Sequence, residues 1–477
     1  MTDTSTPAPM PTDSLAVPHV PVATRIDSGK SLRQRMPRRA LGEWAPAPDR
    51  DPIGILTDQE HRRLQDLVPL RRERMASSAF AFFRGAAAVF SADIAANPRS
   101  NLRVQLCGDA HLANFGGFAS PERNLVFDLN DFDETLPGPF EWDVKRLAAS
   151  FEVAARANGF DEPLRGTLQR TLAGSYAAAM KSFATMDHLD VWYLRVDADE
   201  FLRSKASTVS PEIVDRVRAR LKKARGKDRM KAVRRLTVQD GSELRFASDP
   251  PVLQPIRELM DDNQVEALFG VVHHALRNYR RSLQPDRRYL LEQYRFVDLA
   301  RKVVGVGSVG TRCWVALLMG REGGDPLFIQ VKEAERSVLE PYLGRSMYEQ
   351  QGRRVVEGQR ILQSASDIFL GWERVRMVDG TSRDHYFRQL WDWKVSAEIE
   401  TMDPELLTHY ADLCAYTLAR AHARSGDSVA IAAYLGNGRV LGEAMTQFSA
   451  LYADQNERDH AEAVDRWFDG VVPTLPA

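Results

Sequence analysis

Cysteine is scarce in this chain: three in 477 residues (Cys107, Cys313 and Cys414), far apart and with no CxxC pair. That excludes a disulfide scaffold and a cysteine-rich zinc module, and it fits a reducing compartment. An excess of one charge sign is also missing, since 64 Lys plus Arg face 65 Asp plus Glu for a formal net charge of −1. No global field therefore draws the whole protein onto nucleic acid or an anionic membrane. No apolar run reaches the roughly 18 residues that a membrane-spanning helix needs. The opening stretch, MTDTSTPAPMPTDSLAVPHVPVATR, has neither a basic n-region nor an apolar h-region and reads as no secretory signal. Together these absences lead us to expect a cytoplasmic protein without membrane contact.

What is present is globular: 44% hydrophobic and 27% charged residues, in a chain long enough for two or three domains of about 150 residues. Residues 1–50 are rich in Pro, Thr, Ser and Ala and are expected to form a disordered arm. Phe80, Phe83, Ala87 and Phe90 recur at helical spacing. Leu102, Val104 and Leu106 alternate as a strand running into Cys107-Gly108-Asp109, and a second strand, Leu125-Val126-Phe127, runs into the acidic loop Asp128 to Glu134. The basic stretch 216–235 lacks the interleaved aromatics of single-strand binders, so it reads as a solvated helix and nucleic acid is not the expected partner. A second β-rich segment opens near Phe296. The expected fold class is α+β.

Three constellations carry chemistry. The run Gly305-x-Gly307-x-x-Gly310 fits a dinucleotide site, a phosphate-approaching hairpin or a plain flexible turn. A Rossmann site needs a helix to open at the third glycine, whereas here Cys313 to Leu318 reads as a strand, which favours the hairpin. Lys332 ends the strand Ile329-Gln330-Val331-Lys332, where alternation puts Gln330 and Lys332 on one face. Beneath a glycine loop such an ammonium would pair with phosphates and want a carboxylate to hold it. Glu349 and Glu357 in the following helix are candidates, Glu357 being favoured. The third constellation is Asp109 with Asn114 five residues on, followed by Asp128, Asp131 and Asp133. Mg²⁺ takes hard oxygen ligands, often one or two carboxylates with an amide and substrate phosphate. An Asp nearby, free of metal, orients or deprotonates a hydroxyl.

At these residues the chain resembles the protein-kinase-like superfamily, and within it the aminoglycoside phosphotransferases, whose catalytic loop reads H-G-D-x-H-x-x-N. Cys107-Gly108-Asp109-x-His111-x-x-Asn114 occupies that pattern, and Leu129-Asn130-Asp131-Phe132 resembles the family's strand-end metal motif. The resemblance implies Asp109 as catalytic base, His111 close to the transferred phosphate, and Asn114 and Asp131 as magnesium ligands. Gly138-Pro139 and Asp143 fall where such enzymes carry a Gly-Pro step and a structural Asp. Gly305, Gly307 and Gly310 are implied as the glycine loop, Lys332 as the strand lysine and Glu357 as its helix partner. The order is reversed, with the catalytic and metal loops (107–134) ahead of the glycine loop and lysine (305–332), so a circular permutation is implied. Cys107 replaces the loop histidine, and Arg312 stands where kinases tend to place Val. His422 with Gly426-Asp427 mimics a catalytic loop in the ordinary order, but Ala432 stands where the metal-binding Asn would be needed.

Longer phrases resemble one bacterial family, the domain of unknown function 2252: Arg74-Met75-Ala76-Ser77, Phe83-Arg84-Gly85-Ala86, Cys107 to His111, Arg301 to Thr311, Ala421 to Arg424 and Gln455 to Asp459. The expectation is thus a bilobal, permuted kinase-like α+β fold with helical additions. In it, 51–295 holds the catalytic and metal loops with a helical insert, 296–395 binds nucleotide, and the helical 396–477 completes the larger lobe. The expected activity is ATP- and Mg²⁺-dependent phosphotransfer to a hydroxyl of an unknown small molecule or protein. The alternatives are AMP transfer, a non-catalytic nucleotide-binding pseudokinase, and a metal-dependent hydrolase built on Asp109, His111, Asp128 and Asp131.

Overall fold

The computed structural model describes residues 19–205, 210–226, 229–241, 243–321, 324–390 and 393–473. In chain order its strands are β1 (Arg103–Leu106), β2 (Phe115–Ala119), β3 (Leu125–Leu129), β4 (Leu136–Pro139), β5 (Val196–Asp197), β6 (Thr237–Asp240) and β7 (Glu243–Phe246). They continue as β8 (Leu253–Pro255), β9 (Arg295–Lys302), β10 (Cys313–Met319), β11 (Pro326–Glu333), β12 (Gly371–Arg376), β13 (Ser382–Gln389) and β14 (Val395–Ser396). With long helices around them, the class is α+β, as the alternating and helical patterns predict.

The larger sheet is antiparallel, with strand order β12-β13-β11-β10-β9-β8. Period-2 alternation sorts its side chains into two layers. Leu299, Ala316, Leu318, Ile329 and Phe387 face the amphipathic helix Asp262–Tyr279 in one apolar core. That helix is started by a capping box between Asp261 and Gln264, a device worth about 1 kcal/mol. On the opposite face, Val315, Leu317 and Phe328 form a second core, and Gln330, Lys332, Tyr386 and Arg388 follow at the same parity. The predicted placement of Gln330 and Lys332 on one face holds, and it is this face that meets the acidic loop.

The helical part centres on Glu141–Ala157, nearly all of whose residues are buried, including Glu141, Asp143, Lys145 and Arg146. Buried charges are tolerated where each finds a partner. Glu141 accepts the Ser100 N–H and hydroxyl at 2.6 and 2.7 Å. The helices Glu162–Phe183, Pro404–Ala423 and Arg439–Phe468 pack around it. A small sheet in the order β14-β2-β3-β5 joins the two parts, because β14, just past the end of the large sheet, pairs with Gly116 and Gly117 of β2.

Two long-range features bear on chain order. The end of the Pro404–Ala423 helix meets the start of β1: the Gln105 N–H donates to Ser425 Oγ at 3.0 Å, and Gly426 packs against Val104 and the Arg103 carbonyl. At the other terminus, the expected disordered arm is corrected for its second half. Val22–Arg35 is a helix packed on Ser428–Leu435, with Arg25 bonded to both carboxylate oxygens of Asp427 at 2.7–3.0 Å and Arg33 donating to the Tyr434 carbonyl at 3.0 Å. Those partners lie about 400 positions away, so local composition carries no trace of them. Residues 1–18 of the arm lie outside the described residues. The basic stretch 216–235 falls on the helices Pro211–Arg225 and Arg229–Leu236, where Arg216 and Arg220 pair with Asp403 and Glu398. Among the described residues, no helix is long and apolar enough to cross a membrane.

Candidate functional site

Strand β1 delivers Cys107-Gly108-Asp109 to a loop held from behind by Asp143. The Asp143 carboxylate accepts the N–H groups of Cys107 at 2.8 Å and Gly108 at 3.1 Å. His422 contributes Nε2 to the same carboxylate at 3.2 Å, while its Nδ1 meets the Tyr176 hydroxyl at 2.7 Å. This buried histidine belongs to the scaffold behind the loop, and Asp427 caps the next helix by accepting the Ala430 N–H at 2.9 Å. The mimic of a catalytic loop around His422 is therefore structural. Gly108 has φ 87° and lies so close to the Glu134 carbonyl that a Cβ would collide with it. Only glycine meets both demands.

Asp109 accepts the Arg146 Nε at 2.8 Å. Burial raises the Asp109 pKa, and Arg146 and Arg84 oppose that rise. Asn114 donates Nδ2 to the Asp109 carbonyl at 2.8 Å, closing the five-residue loop. His111 is buried, with Nε2 3.8 Å from Asp109 Oδ2. Burial, helped by Arg84 and Arg146, pushes its pKa well below the usual histidine range, so the imidazole is neutral at pH 7. The Asn130 N–H donates to the Asn114 carbonyl at 2.9 Å, tying this loop to the next.

Asp131 accepts the Asp133 N–H at 3.2 Å. Asp133 takes the Lys332 ammonium on one oxygen and the Tyr386 hydroxyl, at 2.7 Å, on the other. Arg388 stands alongside, donating Nε to Gln330 at 2.8 Å and NH1 to the Asn130 carbonyl at 3.3 Å. Burial works against charge on Lys332, but Asp131 and Asp133 overcome it and hold its pKa well above the ordinary value. Asp131 is raised by burial and by repulsion from Asp133, whereas Asp133 is lowered against burial by Lys332. Opposed shifts within one carboxylate pair are characteristic of functional sites.

Here the expected partner of Lys332 is corrected. Glu357 lies 3.9 and 3.8 Å from Arg353 and Arg360 on the outer face of the Gln351–Leu362 helix. The inner face belongs to Arg354, which donates to the carbonyls of Thr135, Asp133 and Glu335 at 2.7–2.8 Å, and to Gly358, packed against Thr135. Positions 354 and 358 share one stripe of the helix and 353, 357 and 360 another. Asp128 also leaves the site: it pairs with buried Arg420 at 2.6 Å and accepts the Ser364 N–H and hydroxyl at 2.9 and 2.8 Å.

The glycine run links β9 to β10 with no helix at its third glycine, as the hairpin reading requires. Gly305 and Gly310 adopt φ of 64° and 86°. The loop is strapped to the N-terminal segment: Arg74 donates to the Gly305 carbonyl at 2.8 Å, Arg63 to the Val309 carbonyl at 2.6 Å, and the Leu64 N–H to the Gly310 carbonyl at 2.8 Å.

Asp109, His111, Asn114, Asp131, Gly305 and Gly307 thus line one cavity of about 140 Å³, together with Asp133, Glu134, Arg63 and Arg84. Lys332 stands behind Asp133, Gly310 packs on the stem of Arg63, and Glu357 is outside. A larger cavity of about 730 Å³ is lined by Phe118, Asn130, Phe328, Gln330, Arg388 and Lys394, so successive residues Asn130 and Asp131 face one cavity each. Burial pushes Glu134 up to about 7, against the pull of Arg354. Arg84, Arg146, Tyr386 and Arg388 escaped the sequence reading. Arg84 lies in the phrase Phe83-Arg84-Gly85-Ala86 and Arg146 one helical turn after Asp143, while Tyr386 and Arg388 needed the strand register.

Among the described residues, no group of three or more His, Cys, Asp or Glu side chains has metal-holding geometry. Asn114 and Asp131 nevertheless share the cavity, and Asn114 spends only its amide N–H on Asp109. One carboxylate and one amide carbonyl suit Mg²⁺, which draws its remaining ligands from water and phosphate.

The sequence matches the family described as uncharacterized protein conserved in bacteria (DUF2252) over residues 63–466, and the chain belongs to that family. No curated protein and no solved structure matches it.

Proposed function

We propose that this protein is an ATP- and Mg²⁺-dependent phosphotransferase of the protein-kinase-like kind, in circularly permuted order, acting on a hydroxyl of a small molecule or protein. The observation that carries the reading is the convergence of Asp109, Asn114 and Asp131 in one cavity with Gly305 and Gly307, with Lys332, about 200 positions from the acidic loop, joined to it through Asp133. Strand order supports it. The glycine loop lies between β9 and β10, the lysine ends β11, and a helix follows, which is the succession of parts a kinase uses. Contact between Ser425–Gly426 and β1 supports the permutation, because it brings together the ends that an unpermuted chain would join.

In this reading the base of the nucleotide occupies the larger cavity, and its phosphates point past Lys332 toward Asp109. Asp109, held by Arg146, orients the acceptor hydroxyl and receives its proton; positioning and charge neutralisation do the rest. Bound Mg²⁺ would neutralise phosphate charge, held by Asn114 and Asp131. The hydrolase alternative loses Asp128 to Arg420. The pseudokinase alternative draws on the Lys332–Asp133 pair, which occupies the ammonium without nucleotide. AMP transfer differs from phosphate transfer in the mass added to the acceptor.

The test is thermal stabilisation by ATP with and without Mg²⁺, in wild type, Lys332→Ala and Asp131→Ala, followed by turnover with Asp109→Asn. Ligand stabilisation grows as RT ln(1 + [L]/Kd), so millimolar nucleotide reveals even modest affinity. A Mg²⁺-dependent shift lost in both variants, with turnover lost in Asp109→Asn, is expected. No shift with any nucleotide overturns the reading, and a shift without turnover on any acceptor leaves nucleotide binding alone.

A further inference from the structure

Roughly nine in ten buried polar groups in folded proteins find a hydrogen-bond partner, so a cluster that does not is informative. Four buried side-chain nitrogens without a partner surround the Asp109 cavity: Arg63 Nε, Arg84 Nε, His111 Nδ1 and Arg146 NH1. Three of these residues line the cavity, and Arg146 holds Asp109. Two of them have another task. Arg63 braces the Val309 carbonyl, and Arg146 also donates to the Phe83 carbonyl at 2.8 Å while lying 3.9 Å over the Phe83 ring.

Arg84 has none of this. Among the described residues its guanidinium forms no ion pair, and its one aromatic neighbour is Phe80, 5.8 Å away. It stands at the end of the Ala79–Gly85 helix, and a Cβ on Gly307 would lie 3.2 Å from its carbonyl. The residue therefore sits between the roof of the cavity and the catalytic loop. Burial lowers its pKa, with Asp109 and Glu400 as the acids that counter this. A half-buried guanidinium without a carboxylate is costly unless an anion arrives, and its planar fork suits phosphate oxygens better than an ammonium does.

We propose that Arg84 is an anion-binding residue of the transfer site, taking oxygens of a phosphate that lies beside Asp109, with Arg146 and His111 completing the cradle. Two sources present this chemistry: the terminal phosphate of the nucleotide, or a phosphate carried by the acceptor. The choice between them rests on the phosphotransferase reading; binding of the anion itself does not.

The experiment titrates the full chain with ATP·Mg²⁺, ADP·Mg²⁺ and inorganic phosphate, the phosphate both alone and over a saturating non-hydrolysable ATP analogue. Wild type is compared with Arg84→Ala, Arg84→Lys and Arg84→Gln; the Gln variant keeps polar bulk where Ala disturbs folding. Wild type should bind phosphate, and the Gln variant, melting like wild type, should bind it about tenfold or more weakly, with Lys between the two. A loss for ATP that spares ADP assigns Arg84 to the terminal phosphate. A loss for phosphate added over the ATP analogue that spares ATP assigns it to the acceptor. A wild type that binds phosphate through Arg84 but no nucleotide sinks the phosphotransferase reading and leaves the anion site standing. Unchanged binding of all three ligands in Ala and Gln variants, or no phosphate binding by wild type, overturns the proposal.

Discussion

The Asp109 loop and the Gly305–Lys332 segment are held in opposite ways. Around Asp109 the direct braces come mostly from nearby in the chain: Asn114 is 5 positions away, Asp143 is 36 from Cys107, and Arg146 is 37 from Asp109. Around Gly305–Lys332 they come from afar: Arg74 is 231 positions from Gly305, Arg63 is 246 from Val309, and Asp133 is 199 from Lys332. A loop braced locally declares itself as a motif with fixed spacing. One braced remotely shows only its own residues, and its partners stay hidden.

This contrast breaks most sharply at Lys332. Removing one member of a buried ion pair leaves the other charge uncompensated, which typically costs about 3–5 kcal/mol. Lys332→Met should therefore unfold at markedly lower denaturant, and the double variant with Asp133→Asn should cost less than the sum of the singles. Strict additivity in that double-mutant cycle would show that the pair is not coupled. Next in size is Asp143→Ala, which strips two N–H groups and His422 of their acceptor. A loss of about 2–4 kcal/mol in equilibrium unfolding is expected; a loss under about 0.5 kcal/mol, the scale of an ordinary surface change, would mean the local brace is dispensable.

A smaller effect concerns pH. Glu134 is pushed up to about 7 by burial, from an ordinary carboxylate value of 4.5. The folded state thus holds its proton more tightly than the unfolded chain. This contribution to stability is present below pH 4.5, declines as pH rises through the interval, and is gone above about 7. Glu134→Gln should remove about 1–3 kcal/mol of that pH dependence, read as melting temperature from pH 4.5 to 8. An unaltered slope in the variant would assign the titration elsewhere. Smallest of all is Glu357→Ala, expected within about 0.5 kcal/mol because its arginine contacts are partly exposed. It should also leave nucleotide stabilisation intact; loss of that stabilisation would restore Glu357 as the lysine's partner.

Much of the site was legible because its chemistry is local. The strand-to-loop passage at Leu106–Asp109, the spacing to Asn114, the second strand leading into the acidic loop with Asp131 and the structural Asp143 are all written within 40 residues, and folding keeps them together. Alternation along β11 likewise puts Lys332 on the same face as Gln330, and the structure makes that face the one toward the acidic loop. The missed parts share one cause. The place of Glu357 in a following helix suits a partner for the lysine, yet the rotation of that helix is set by Arg354 reaching three carbonyls, and local periodicity does not set it.

By itself, then, the sequence determined the α+β class, the family, the Asp109–Asn114 spacing, the acidic loop and the face that Lys332 shares with Gln330, since hydrophobic periodicity and turn chemistry act over a few residues. Tertiary structure alone decided that Asp133 takes the lysine, that Arg84 and Arg146 flank Asp109, and that the segment around Val22–Arg35 is ordered by residues near the other end of the chain. Charges buried at long range take whichever partner the packing brings within reach. That choice is made by the whole core, and no stretch of sequence records it.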